Sequence, residues 1–537
     1  MKILSGGFPL RGGIDVLDTH KLGYVIGEAS PTEFLFITEE NKRPTRWEYV
    51  IVKSIETVDG QEKEVDVVAQ IEKIFSYSMA LRENISLEAA EKIIQAGLAD
   101  RRILAKARVL GFIHNNTVFQ PRKAIQPGKE VYRAPEDILE KFYSYPDEEG
   151  LFIGHLITRQ SVPVKISVRG FRRHLAIIAQ TGAGKSYTAG VLIEELFRKG
   201  ATIVVIDPHA DYVFLSKKKD GSRINRISVF RTPESTGRYD ESQIGKINIY
   251  EVKFSDVSIG EIATICGIRE DWVNVLKAIR EAIEELEEGY TLDNLIEKLE
   301  EKEDKDSLRA INHLEKLRKI RVFGSATTDI EKLLKPKHVA VVDLSGLEDK
   351  VSDYVAFRIL SSIYEKAEKQ QYKYPVFIFI EEAHKFAPNR ESTLSKRIIK
   401  RIAAEGRKFG VFLVLITQRP YKIDPDVLSQ CNSQIVMRMT NPEDQKAVRT
   451  SSERMSESLL NDLPGLNIGE AVIVGEITRA PVMVKIRPRE TEEGGADIDV
   501  VKKLKEAEKE AEEEEKTKDE TLITEMEKIR SIVEGGQ

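Results

Sequence analysis

The sequence predicts an α/β protein built on a parallel sheet, with a small β-barrel ahead of it, a helical bundle inserted into it and a helical extension behind. Three observations predict this. From about residue 151, short and wholly apolar runs alternate with helical stretches, as strands buried on both faces require. Before about residue 90 the runs are short and alternating, and Gly, Pro and polar turns separate them. Between about 255 and 335 the buried strands stop, and apolar residues recur at helical spacing.

Each element follows in chain order. "YVIGEAS", "EFLFITE", "WEYVIVKSIE" and "VDVVAQIEKIF" are the barrel runs. "LEAAEKIIQAG" (87–97) reads as a short helix, and "RRILAKARVLGFI" (101–113) returns to strand. The barrel with its linker is assigned to 1–150, the core to 151–490 and a charged helical extension to 491–537. Core strands are "LAIIA" (175–179), "TIVVID" (202–207), "VAVVDL" (339–344), "VFIFIE" (376–381) and "VFLVLIT" (411–417). In the inserted bundle, Trp272, Val275, Leu276, Ile279, Ala282, Ile283 and Leu286 share one helix face. In the extension, "KEAEKEAEEEEKTKDE" is a solvated helix, followed by an apolar stripe of Leu522, Met526, Ile529 and Val533 that docks on another surface.

Composition narrows the function. The chain has 537 residues, a net charge of −6 and 32% charged residues. That charge places any nucleic-acid contact in local basic patches, and the Lys, Arg and Glu content suits a thermophile. Cys266 and Cys431 are the two cysteines, too few for a disulfide framework and suited to a reducing cytoplasm. No apolar run of about 18 residues and no signal peptide is present, so a cytoplasmic chain with no membrane partner is expected.

"AQTGAGKSYT" (179–188) supplies the chemistry. It matches a phosphate-binding loop, G-x-x-x-x-G-K-[ST], except that Ala179 replaces the first glycine. Such a loop turns backbone N–H groups onto β- and γ-phosphates at a helix N-terminus. Thr181, Gly182, Ala183 and Gly184 form the cradle, and Lys185 supplies a point charge. Ser186 supplies a hydroxyl for Mg²⁺, and Tyr187 opens the helix beyond. Ala179 sits at the strand exit, where a small residue suffices.

Three further strand ends complete a hydrolytic site. In "PVFIFIEEAHKFAP" (375–388), Glu381 suits Mg²⁺ and Glu382 suits activation of the attacking water. In "VVIDPHADY" (204–212), Asp207 ends a strand expected beside the loop strand, where its carboxylate faces the nucleotide crevice. "LITQRP" (415–420) delivers Gln418, a group for sensing the γ-phosphate or the lytic water.

These four elements, in this order, resemble the HerA–FtsK group of P-loop ATPases, and HerA most specifically. The barrel, the inserted bundle and the charged extension match that family too, so the resemblance covers nearly the whole chain. It implies a RecA-like core and a homo-hexameric ring that uses ATP and Mg²⁺ to move along, or unwind, double-stranded DNA. A NurA-type nuclease is the implied partner, in resection of DNA ends. A conjugative-type DNA pump and an ATP-gated scaffold for a nuclease are the alternatives. Within the ring, Arg407 in "KRIIKRIAAEGRKFG" (396–410) matches the arginine a neighbour supplies, with Arg401 as the alternative. Arg173 in "FRRH" is a second candidate for phosphate contact, and Lys485 and Ile486 match a tail that reaches adenosine. "SKKKDGSRINR" (216–226) is basic and free of order-forming pattern, which nominates Lys217, Lys218, Lys219 and Arg223 for the DNA backbone.

Overall fold

Strands Lys21–Ile26, Glu33–Thr38, Tyr49–Val58, Gln61–Tyr77, Arg102–His114 and Glu130–Arg133 close into a ring. This is seen in a computed structural model that describes residues 21–494 and 500–534. Closure comes from antiparallel pairing of Glu33–Thr38 with Arg102–His114, which leaves no bare edge on the ring. Alternation turns Phe34, Phe36, Val50, Val52, Ala105 and Ala107 inward, where all are buried. The ring continues past residue 90 because Arg102–His114 and Glu130–Arg133 return to it. The second of these carries no long apolar run and is recruited by its neighbours. The helix Leu87–Gln95 leaves the ring, capped by the Ser86 hydroxyl, and buries none of its residues.

The main sheet has twelve strands. Their spatial order is Ile247–Ile249, Ile227–Arg231, His338–Asp343, Thr202–Asp207, Val376–Ile380, Val411–Thr417, Leu175–Ile178 and Ser433–Met437, all parallel. Glu470–Val474, Val482–Ile486, Gly150–Leu156 and Arg159–Ser167 extend it antiparallel. The loop strand is thus Leu175–Ile178, the acidic strand Val376–Ile380 and the sensor strand Val411–Thr417. Expectation is corrected here. The sensor strand lies between the loop strand and the acidic strand, and Thr202–Asp207 lies one place further out rather than beside the loop strand. Crossover helices let a later strand insert between earlier ones, so spatial order is set by tertiary packing. Because all of these strands run parallel, they still deliver their C-terminal residues to one edge. This is the RecA-like α/β arrangement.

The insertion contains helices Ile259–Cys266, Val273–Glu284, Leu292–Glu300 and Lys305–Leu314. Val275, Ile279 and Ala282 are buried, and Trp272, Leu276, Ile283 and Leu286 pack against the same core. A two-stranded pair, Val252–Lys253 with Phe323–Gly324, closes its base. The barrel meets the core through Asp462, which accepts the Trp47 indole N–H at 2.9 Å and pairs with Arg46. Beyond Glu492 the chain forms a separate unit, the single helix Val500–Glu534. Met526 is exposed on it, and the side chains of Leu522, Ile529 and Val533 lie outside the described residues.

Two buried histidines make this fold acid-sensitive. His174 Nε2 lies 3.1 Å from the Ala403 carbonyl, while Nδ1 accepts the Leu413 N–H at 3.0 Å, an arrangement that holds a neutral ring. His338 lies 3.0 Å from the Ser228 hydroxyl. Burial pushes both down to about 4, so the unfolded chain takes up these protons first. Their contribution is complete above the ordinary histidine value near 6.5 and declines toward pH 4, on the order of 3 kcal/mol each. The thermal midpoint is predicted to fall steeply between pH 6.5 and 4.5, and less steeply in His174→Gln. Parallel pH profiles for the two proteins would disprove the assignment.

Candidate active site

The phosphate loop turns where its glycines are. Gly182 has φ +76° and Gly184 φ +103°, left-handed positions that disfavour a side chain. Ala179 is wholly buried, its N–H donates to the Thr417 carbonyl at 3.3 Å, and its φ is not positive. The alanine therefore costs the loop nothing. The Gln180 N–H donates to the Arg438 carbonyl, and the Gly469 N–H to the Ala183 carbonyl, each at 3.0 Å, which anchors both sides of the loop. The helix Lys185–Arg198 starts at the loop and brings its N-terminal N–H groups to the same point.

Lys185 lies between two carboxylates. Its ammonium is 2.7 Å from Glu381 Oε1 and 2.5 Å from Glu382 Oε1, so loop and acidic strand meet across the intervening sensor strand. Burial alone would lower the Lys185 ammonium, but the two glutamates outweigh it and raise it. The glutamates themselves diverge. Burial raises Glu381, although Lys185 and the Tyr212 hydroxyl, at 2.5 Å, both oppose it. Burial also opposes ionisation of Glu382, but His384 and Lys185 prevail and hold it at about 2. Glu382 sits in left-handed backbone, φ 48° and ψ 47°, a strained position for a residue with a side chain.

Asp207 departs from expectation. Its carboxylate does not face the crevice: it is wholly buried and accepts the N–H groups of Asp211 at 3.0 Å, Tyr212 at 2.9 Å and His209 at 3.3 Å. It shapes the turn that delivers Asp211, and burial raises it well above the ordinary carboxylate range. Asp211 is the acid beside the loop, accepting the Ser186 hydroxyl at 2.9 Å. Asp211 follows Asp207 by four residues in the sequence, and Tyr212 is the site neighbour that the strand-end rule passed over. A short polar turn after Asp207 was the only signal for Tyr212.

The oxygen donors Ser186, Glu381 and Asp211 fit Mg²⁺, a hard cation that prefers carboxylate and hydroxyl oxygen. Among the described residues no group of three or more His, Cys, Asp or Glu side chains is placed to hold a metal ion by itself. That also fits Mg²⁺, which is held by one or two protein oxygens together with substrate phosphates.

At the sensor strand, Gln418 accepts the Thr181 hydroxyl across the loop mouth. Arg407 and Arg173 lie elsewhere. Each precedes its strand, Val411–Thr417 and Leu175–Ile178 respectively, so both stand at the N-terminal edge of the sheet, opposite the loop. Arg173 therefore cannot reach the phosphates of its own loop, and it lies 3.5 Å from Glu476. Arg407 is exposed and makes no ion pair among the described residues. Arg401 is engaged, 2.8 Å from Glu368 and stacked 4.6 Å above Tyr364.

The basic stretch 216–226, which looks flexible in the sequence, is ordered and tied down. Lys217 lies 2.9 Å from Glu492, Lys218 lies 3.7 Å from Glu490, and Lys219 lies 5.3 Å above the Tyr187 ring. Arg223 donates to the Ser242 carbonyl. The carboxylates that fasten it arrive from the far end of the chain, out of reach of local pattern. The same tail crosses the loop helix: Glu194 accepts Arg487 and the N–H groups of Glu490 and Thr491, and the Arg489 N–H donates to the Tyr187 hydroxyl at 2.6 Å. Lys485 donates to the Ile468 carbonyl at 2.6 Å, and the Ile486 N–H to the Gly469 carbonyl at 2.9 Å, on the loop's flank.

Comparison with known proteins follows from this geometry. The model "Helicase HerA, central domain" matches residues 151–363, and "Helicase HerA-like C-terminal" matches 273–489. A probable helicase of Methanocaldococcus jannaschii, MJ1565, is 32% identical, with 89% of this chain and 93% of that protein covered. The DNA double-strand break repair helicase HerA of Pyrococcus furiosus is 30% identical, with 87% of this chain and 92% of that protein covered. Among solved structures, VirB4 of Thermoanaerobacter pseudethanolicus aligns at TM-score 0.46 and 18% identity, over 64% of this chain and 98% of that one.

The two aspartates should separate on mutation. Asp207→Ala leaves three backbone N–H groups short of an acceptor and is expected to cost about 2–4 kcal/mol of stability. Asp211→Asn should leave the thermal midpoint in place and raise the Mg²⁺ concentration needed for half-maximal ATP turnover. Denaturation curves and Mg²⁺ titrations of both variants decide it, and the reverse pattern would return Asp207 to the crevice.

Proposed function

The chain belongs to the HerA helicase family, and we propose on that premise that it is an ATP-driven, ring-forming translocase of double-stranded DNA. The observation that carries the reading is the division of the site across the sheet. Lys185, Glu381, Glu382 and Gln418 stand at one edge, and the exposed Arg407 stands at the other. A complete site then needs two copies, as in a hexamer whose nucleotides sit between neighbours. The relatives named for double-strand break repair favour work on DNA ends, and the family resemblance adds a NurA-type nuclease as partner. No helix among the described residues is long and apolar enough to cross a membrane, which disfavours a membrane-anchored pump.

Each residue has a task in this cycle. The backbone of 181–184 and Lys185 hold the β- and γ-phosphates. Phosphate competes with the glutamates for Lys185, and Glu382, once released, accepts a proton from the attacking water. Glu381, Ser186 and Asp211 would hold Mg²⁺, which neutralises charge on the phosphates when bound. Gln418, tied to Thr181, orients the water or reads the γ-phosphate. Arg407 of a neighbouring copy, with Arg173 beside it on that edge, stabilises charge at the γ-phosphate, a contribution of roughly 10³–10⁵ in rate. Tyr187, Lys485 and Ile486 lie on the flank that suits ribose and base.

Glu382→Gln should bind ATP and fail to hydrolyse it, since an amide does not accept the proton. Arg407→Ala should bind ATP and assemble, yet turn over poorly. Mixing dissociated subunits of the two should restore part of the turnover, because only mixed rings place an intact Glu382 against an intact neighbouring Arg407. Mixed assembly without recovery would refute a shared site.

A further inference from the structure

A cavity of about 810 Å³ opens beside His384 and Lys385, among the loops that follow the acidic and sensor strands. Lys350, Lys385, Arg390 and Lys422 line it. Its acids are largely committed. Asp353 accepts the N–H groups of Leu394 and Ser395, and Asp349 lies 3.7 Å from Lys385. Glu391 is the remaining acid on the lining. With the Asp349–Lys385 pair set aside, Lys350, Arg390 and Lys422 face Asp353 and Glu391, an excess of one cation, the sign that a polyanion's phosphates favour.

His384 stands between this cavity and the catalytic edge. It lines the cavity, and its Nδ1 lies 3.1 Å from both the Thr417 hydroxyl and Glu382 Oε2. One ring nitrogen carries at most one hydrogen, so it can serve only one of the two fully. In this structure the Thr417 contact has hydrogen-bond geometry, while Glu382 Oε2 is buried with no hydrogen bond. The other oxygen of Glu382 is held on Lys185 at 2.5 Å. His384 Nδ1 thus has two alternative partners, Thr417 and Glu382 Oε2, and the choice between them is a two-state element.

The cavity wall is laced so that a load on it reaches that element. The Asn389 N–H donates to the Lys422 carbonyl at 2.7 Å, and the Asp424 N–H to the Ala387 carbonyl at 2.9 Å, so the loops after the acidic and sensor strands move together. The one-turn helix Ala383–Phe386 joins that wall to Glu382, with the Lys385 N–H on the Glu382 carbonyl at 2.8 Å. We propose that His384 is a positioning residue coupling DNA to hydrolysis: backbone phosphates held at Arg390 and Lys350 shift this short helix, and His384 leaves Thr417 to draw Glu382 off Lys185. The proposal rests on the translocase reading and adds the route by which DNA governs the glutamate.

ATP turnover of the full-length protein, with and without linear duplex DNA, tests it. Asparagine places a donor where Nδ1 stands, and glutamine places one where Nε2 stands. DNA should stimulate the wild type, and His384→Ala and His384→Gln should lose most of that stimulation with KM for ATP changed by no more than about 2-fold, while His384→Asn regains at least about half. Arg390→Gln should raise the DNA concentration for half-maximal stimulation without lowering the plateau. Equal stimulation of wild type and His384→Ala, or rescue by glutamine as good as by asparagine, overturns the coupling role alone. A wild type indifferent to DNA overturns the coupling and the translocase reading together.

Discussion

A buried lysine held between two glutamates is the contact on which this molecule depends. Removing a charge from water costs several kcal/mol unless partners compensate it, and removing one partner leaves the others exposed to that cost. Lys185, Glu381 and Glu382 meet that condition only as a set, because burial disfavours the charged form of each one. The set joins two distant stretches of chain, 185 and 381–382, across a strand that belongs to neither. Its geometry therefore tests whether the whole sheet is in register. A phosphate that competes for Lys185 would loosen the set, which ties phosphate binding to the glutamates' hold on the lysine.

The parallel sheet explains why the remaining groups divide as they do. Every strand points its C-terminus to one edge, so the loop, the acids and the sensor arrive together there. Residues that precede strands, such as Arg173 and Arg407, are delivered to the opposite edge with equal certainty. A subunit of this topology cannot bring its own Arg407 to its own phosphates without dismantling the sheet. On the proposed reading, dependence on a neighbour is thus a property of strand direction.

What was legible in the sequence was local. The loop glycines, the paired glutamates and the bundle face from Trp272 to Leu286 each lie within one element, where spacing states the geometry. Strand order was not legible, because crossover helices of similar length permit several orders, and the sensor strand inserted between loop and acids. Asp207 illustrates a second limit. A strand-end carboxylate can face a ligand or cap its own turn, and three backbone N–H groups decided for the turn. Lys217, Lys218 and Lys219 illustrate a third. A run of lysines looks free until its partners, here Glu490, Glu492 and Tyr187, arrive from elsewhere.

The left-handed backbone of Glu382 sets activity and durability against each other at one residue. A side chain there carries strain of about 1 kcal/mol or more, which glycine would relieve. A search for heat-resistant variants that scored melting alone would therefore be drawn to position 382, and would discard the proposed catalytic base in taking that gain.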